Sequence, residues 1–282
     1  MRLSELGELG LLAELERRGL IQGVENDAAQ LDLSQRGDAL VVTQDALVED
    51  VHFRLDWLSW RDLGWRAAAV NLSDLAASGA DPEALLVTLA LPGSTKAEDV
   101  FELYAGIAET GVPVAGGDTT AAGAVFVSVT ALGRSPRVPG RGGAKPGDRL
   151  VVTGTLGAAG AAFRDAGYVR PPLRLAEGRQ LAEHATAMLD VSDGLAVDLG
   201  HLARRSGVRC VVDLDRVPLA PGAGLEDLAF GEDYELLAST SAPSGAVTVI
   251  GHVEAGKGVV FLADGEPREL SGWEHFGGPS PR

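Results

Sequence analysis

Cysteine is almost absent. Cys210 is the only one in 282 residues, which excludes an intrachain disulfide and a thiolate-rich metal cluster and favours a reducing compartment. It lies in VRCVVDL, an apolar, strand-like run where a buried structural thiol is expected. Basic runs are missing too. The chain sets 24 Lys and Arg against 40 Asp and Glu, a formal net charge of −16, and that balance opposes binding to nucleic acid or to an anionic membrane. No stretch approaches the roughly 20 apolar residues that a membrane span needs. The leucines of MRLSELGELGLLAELERRGL take helical spacing but alternate with glutamates, unlike the apolar core of a signal peptide. These absences lead us to expect a soluble, cytoplasmic protein with neither nucleic-acid nor membrane partners. Hydrophobic residues still make up 45% of the chain, enough for one large or two medium domains, and two are expected.

The common nucleotide signatures are lacking as well. No G-x-x-x-x-G-K-[ST] occurs, so any ATP site is not a P-loop. GTLGAAG at 154–160 joins a predicted strand to a predicted helix, but its spacing is G-x-x-G-x-x-G and Asp165 follows too early for a ribose-binding acid. It is expected to be a packing turn.

What the chain does have is aspartate in short, recurring contexts, read as exposed turns although Asp74 falls within a predicted helix: Asp27 in GVENDAA, Asp45 in VVTQDALV, Asp74 in NLSDLA, Asp118 in AGGDTT, and Asp190 with Asp193 in LDVSDGL. Clustered carboxylate oxygens suit Mg²⁺, and carboxylate-held Mg²⁺ is a common way of handling nucleotide phosphates. Pattern and propensity predict strands over 38–43, 85–92, 112–116 and 124–133, with helices over 61–79 and 96–110. The Pro-, Gly- and Arg-rich stretch 134–149 breaks all periodicity and marks a domain boundary, giving domains 1–136 and 137–282. Beyond it come strand RLVVTG, a helix in LGAAGAAFRDAG, helices near 174–186 and 194–206, strands VRCVVDL and YELLAST, and strands over 246–253 and 258–263. The succession is that of layered α/β (α+β) domains.

Single motifs leave alternatives open. GGDTT either lets backbone approach a phosphate or is a turn with a capping Asp. In DVSDG, Asp193 at a helix start can cap it, which leaves Asp190 unexplained. His52 in DVHF is either a core histidine or a neighbour of the Asp45 segment. Arg141 and Lys145 are either solvated charges or phosphate contacts. GEDYEL adds Glu232 and Asp233 at a strand entrance.

Taken in order, TQDALVEDVHF, AAAVNLSDLAASGADP, VAGGDTT, GAKPGDRLVVTGTLG, LDVSDGLAVDLGHL and FGEDYELL resemble the thiamine-monophosphate kinases of the aminoimidazole-ribonucleotide-synthetase-like superfamily, from about residue 5 to Phe276. The resemblance implies two layered α/β domains, the first forming a shared β-barrel in a homodimer. It implies transfer of the γ-phosphoryl group of ATP to thiamine monophosphate with several Mg²⁺ ions, for which direct in-line transfer without a phosphoenzyme is the expected mechanism. It assigns Asp27, Thr43, Gln44, Asp45, Asp74, Asp118, Asp190 and Asp193 to metal, with Asp45, Asp118 and Asp193 catalytic. Tyr104, Gly117, Asp118, Arg141 and Ser192 fall to the nucleotide, and His52, Glu232 and Trp273 to the substrate. The chain departs from the family pattern where Asn26 and Gln44 replace its usual residues. It lacks the N-terminal Cys and Lys of a selenophosphate synthetase and the C-terminal Cys of a hydrogenase-maturation dehydratase. A non-catalytic Mg-nucleotide-binding protein is the alternative from another class.

Overall fold

The structure, a computed structural model, describes residues 29–31, 38–243 and 245–272. The predicted N-terminal helix, Asn26, Asp27 and Trp273 lie outside the described residues. The first half runs β1 (Ala29–Leu31), β2 (Ala39–Val48), α1 (Trp60–Ala77), β3 (Asp81–Leu91), α2 (Ala97–Ala108), β4 (Val114–Ala121) and β5 (Phe126–Ser135). Its strands form one sheet in the order β1-β2-β5-β3-β4, antiparallel except for the β3/β4 edge pair. Val41, Leu85, Val87 and Val129 are buried on one face, while Gln44, Ala46 and Leu86 on the other are exposed. That alternation is the period-2 signature of a half-covered sheet.

The second half runs β6 (Arg149–Thr153), α3 (Ala158–Arg164), α4 (Leu175–Ala182), β7 (Ala185–Asp190), α5 (Leu195–Ser206), β8 (Arg209–Asp213), β9 (Leu236–Thr240), β10 (Val247–Glu254), β11 (Gly258–Ala263) and β12 (Glu266–Arg268). Its seven strands lie in the order β12-β11-β8-β10-β6-β9-β7. Cys210 is fully buried in β8, and burial pushes its thiol up to about 12, as a structural cysteine requires.

Helix α1 joins the halves. Ser59 caps its start by accepting from the Asp62 amide at 3.1 Å. It then buries residues on every side, with no single apolar stripe, as a helix enclosed on all faces does. Small side chains make that possible. Ala67, Ala68 and Leu72 belong to the first core, whereas Ala76 and Ala77 pack with Val151, Met188 and Leu236 of the second half.

Three predicted boundaries change. Strand β2 continues to Val48 because Val41, Thr43, Asp45 and Leu47 keep the inward alternation past the polar residues, so Asp45 is within a strand, not in a turn. Strand β4 runs straight through GGDTT, paired with β3 from Leu85 to Leu91. Gly117 allows the pairing: at φ +152 a Cβ there would sit 1.8 Å from the Val87 carbonyl oxygen. The predicted helix over 174–186 stops at Ala182, and ATAMLD becomes β7, paired with β9 from Ala185 to Asp190. Its Ala, Met and Leu favour helix, but sheet pairing overrides propensity.

Candidate active site

The polar residues of α1 hold the site's main parts. On the side facing the first sheet, Asn71 Oδ1 accepts from the Asp45 amide at 2.9 Å, and Asp74 Oδ2 accepts from Thr43 Oγ1 at 2.5 Å. Toward the second half, Ser73 Oγ donates to Asp190 Oδ2 at 2.5 Å, and Arg66 pairs with Glu232. The middle of β2, helix α1 and the end of β7 thereby bring Thr43, Asp45, Asp74 and Asp190 toward one another from three elements. Buried Tyr234 feels the charge of two of them, Asp45 and Asp190. Its hydroxyl is raised well above the usual phenol value by burial, with Glu232, Asp45 and Asp190 adding to the effect and Arg66 opposing it.

Two loops of the second half close on this cluster. Glu232 N–H donates to the Ser192 carbonyl and Tyr234 N–H to that of Val191, each at 2.9 Å. Gly231 makes the contact possible, since a Cβ there would lie 2.2 Å from the Ser192 oxygen. Helix α5 starts at Gly194 without a side-chain cap, so capping is not the role of Asp193. Instead Asp198, inside the first turn, accepts from the Ser192 and Asp193 amides, both at 3.1 Å. Burial raises its carboxyl well above the usual range, and the like charges of Asp193 and Asp190 add to this while Arg141 opposes. Arg141 also faces His201, which burial first and then Arg141, Arg204 and Arg205 lower to about 4. Ser192, Asp193 and Arg141 therefore gather around the start of α5, beside Asp190.

The N-terminus of α3, the helix behind GTLGAAG, is occupied by the chain itself. Both Asp233 oxygens accept from Gly157 N–H at 2.9 Å, and burial nevertheless pushes this carboxyl up to about 7 against its bonds to Gly157, Ala159 and Ala158. The anion that such a terminus attracts is internal. The packing-turn expectation holds.

Beside the Glu232 loop is a cavity of about 350 Å³, walled by His52, Phe53, Trp57, Phe163, Tyr168 and Phe230 and carrying Arg66, Glu232 and Asp50 at its polar side. Trp57 meets Phe163 edge-on at 5.4 Å, and Phe163 lies 4.9 Å from Phe230. His52 Nδ1 accepts from the Val48 amide at 3.1 Å, so neutral His52 carries its hydrogen on Nε2. Arg54 lines it as well, so two arginines stand beside two carboxylates, and the aromatic walls suit a flat ring system.

Other predicted site residues are placed apart. Gln44 points to the opposite face from Thr43 and Asp45, and its amide donates to Ser128 Oγ at 3.0 Å. Asp118 shares that outer face, on the exposed edge strand β4. Asp45, Val129, Val87 and Gly117 are partners in one row across the sheet, so Asp45 and Gly117 are three strand spacings, about 14 Å, apart. Within one chain, Asp45 and Asp118 cannot share a magnesium ion, whose oxygens bind at about 2.0–2.1 Å. Tyr104 packs beside the first core from α2. Among the described residues, no three His, Cys, Asp or Glu side chains already form a metal cage. The donor set around α1 is nonetheless all oxygen and largely anionic, which fits a hard divalent cation.

Sequence reasoning missed Arg66, Trp57, Phe163, Tyr168 and Phe230, and the supporting Asn71, Ser73 and Asp198. One signal was available. Arg66 sits in WRAAAV, and a charged residue in a run of small buried ones requires a buried partner.

Comparison with known proteins agrees along the whole chain. The N-terminal domain of AIR synthase related proteins matches residues 25–135, and their C-terminal domain matches residues 145–266. The thiamine-monophosphate kinase of Aquifex aeolicus (strain VF5) is 32% identical over 98% of this chain and 100% of its own length. That of Escherichia coli (strain K12) is 34% identical over 97% and 99%. The solved structure of AaThiL complexed with AMPPCP and TMP superimposes with a TM-score of 0.88, at 32% identity, covering 98% of this chain and 99% of that one.

Proposed function

We infer that this chain, which belongs to the AIR synthase related proteins and among them to the thiamine-monophosphate kinases, transfers the γ-phosphoryl group of ATP to thiamine monophosphate, giving thiamine diphosphate and ADP. The observation that carries this is the juxtaposition of an acid cluster and an aromatic cavity across one loop. Glu232 belongs to the cavity, while its amide is bonded to Ser192 beside the acids. A substrate whose cationic ring system fills the cavity places its phosphate toward Asp45, Asp74 and Asp190.

The chemistry suits these residues. A phosphate monoester has a second pKa of about 6, so the acceptor oxygen is already anionic and no strong general base is required. The difficulty is the approach of two anions. Asp45, Asp74, Asp190 and Asp193, with Thr43, would hold Mg²⁺, Asp27 being a further candidate. When bound, the ions supply charge neutralisation and alignment of the two phosphates. Ser192 and Arg141 bind the donor nucleotide at the start of α5, and His52 and Glu232, with Trp273, bind the acceptor. Gly117, Asp118 and Tyr104 serve the nucleotide from the outer strand and α2. We further propose that residues 1–136 and 137–282 act as two domains of a cytoplasmic enzyme.

ADP release should depend on both thiamine monophosphate and Mg²⁺, with inversion at a chiral γ-phosphorus. Binding of both ligands without turnover would reduce the chain to a nucleotide-binding protein, and retention would exclude direct in-line transfer.

A homodimer completes the proposal. The outer face of the first sheet is open in one chain, with Leu86 41% exposed, and every residue of edge strand β4 is exposed. Bare strand edges are usually blunted or paired. A second copy closing this face into a shared barrel would cover both and bring Asp118 into a subunit junction. Sedimentation at micromolar concentration is expected to show twice the 29.2 kDa chain mass; a monomer would rule this part out.

A further inference from the structure

We propose that Arg66 is a positioning residue for substrate recognition, acting through Glu232. The proposal rests on the kinase function inferred above, because it names what orients the carboxylate that meets thiamine monophosphate.

Three observations carry it. The first is backbone strain in the loop. Gly231 at φ +76, Glu232 at φ +59 and Tyr234 at φ +51 are all left-handed, and two of them carry side chains that disfavour this region. Such conformations persist only where the surroundings over-determine them, and they concentrate at ligand sites. The loop is indeed held from several sides: its amides bond Ser192 and Val191, and Asp233 bonds Gly157.

The second is the ion pair. Arg66 is 4% exposed and the Glu232 side chain 12%, so the pair is almost dry. Arg66 Nε is buried without a hydrogen-bond partner among the described residues. A fold optimised only for stability has little reason to keep such an arrangement, because a buried pair of this kind is often matched by apolar residues of similar size. The third is location. Arg66 comes from α1, Glu232 from the other half, and both line the cavity. The guanidinium also lies 6.0 Å from the ring of Tyr168, another wall residue. Arg66 thereby fixes the direction of a carboxylate mounted on a strained loop.

Calorimetric titration of thiamine monophosphate into the full chain tests this with Arg66→Met, Glu232→Gln, the double variant and Arg66→Lys, each with a thermal melt and a KM for ATP. Both single variants should weaken binding about tenfold or more, the worth of a charged hydrogen bond. The double variant should bind as Glu232→Gln does, and should recover stability that Arg66→Met loses by stranding a buried charge. Arg66→Lys should fall between wild type and Arg66→Met, and the KM for ATP should stay within about threefold, as expected where no nucleotide contact is lost. Multiplying effects in the double variant would show that Arg66 acts independently of Glu232 and overturn the proposal. So would unchanged affinity in a folded Arg66→Met. Wild-type chain that binds no thiamine monophosphate would remove the kinase function itself, a result separate from either.

Discussion

Asp190→Asn is expected to cut turnover about a thousandfold while leaving a protein at least as stable as wild type. Asp190 is 2% exposed at the end of β7, where it shares the acid cluster with Asp193 and Asp198. In a fold without ligand, that proximity is a cost. Like charges in a low-dielectric setting repel, and the Ser73 hydroxyl at 2.5 Å satisfies one oxygen without cancelling the charge. Asparagine keeps the shape and an oxygen able to accept from Ser73, but removes one negative charge. Stability without Mg²⁺ should therefore rise by about 1 kcal/mol, or stay level.

Activity should move the other way. Removing one carboxylate from the set that offsets two approaching phosphates should lower kcat about a thousandfold, the scale seen when one preorganised electrostatic partner is lost. Adding Mg²⁺ should reverse the order of stability. The ion binds the folded wild type and raises its melting temperature by mass action, whereas the variant gains less. A variant with near-normal kcat would remove Asp190 from the site. One that melts well below wild type without Mg²⁺ would show the carboxylate to be structural.

The opposition of stability and function at Asp190 explains what could be read in the sequence. In DVSDG a helix cap accounts for one carboxylate and leaves Asp190 over, and the structure gives the start of α5 to Gly194 and Asp198 instead. The ordered series of acidic motifs carried the family resemblance, and the succession of strands and helices carried most of the fold. The misreadings share a cause. Gln, Asp and Gly interrupt the apolar alternation around Asp45 and Asp118 and point to turns, yet β2 and β4 are held there by the backbone groups of neighbouring strands. ATAMLD has helical composition and becomes a strand only because β9 lies beside it. The cavity was hidden for a different reason: Trp57, Phe163, Tyr168 and Phe230 come from separate segments, and no spacing rule connects them. That Gln44 faces away from Asp45 follows from strand parity, and was readable once β2 was known to continue.

The largest loss of stability is expected from Gly106→Ala. An alanine inside a helix normally stabilises by up to about 1 kcal/mol over glycine, and at Gly200 of α5, where a Cβ would meet nothing within 4 Å, that gain should be observed. Gly106 differs because α1 and α2 touch backbone to backbone. A Cβ at Gly106 would lie 1.9 Å from the Arg61 carbonyl oxygen and 2.9 Å from the Trp65 nitrogen, and a Cβ at Gly64 would lie 1.8 Å from the Leu103 oxygen. Neither obstacle is a flexible side-chain end, so one helix must move. Overpacking of this kind costs about 3 kcal/mol, a melting temperature lower by roughly 6–12 °C. The displaced element would be α1, which carries Arg66, Asn71, Ser73 and Asp74, so turnover should fall along with stability. Gly64→Ala should behave the same way from the opposite side of the contact. A Gly106→Ala protein as stable as Gly200→Ala would mean that the two helices have room between them, and that the spacing of α1 from its neighbours does not set the geometry of the site.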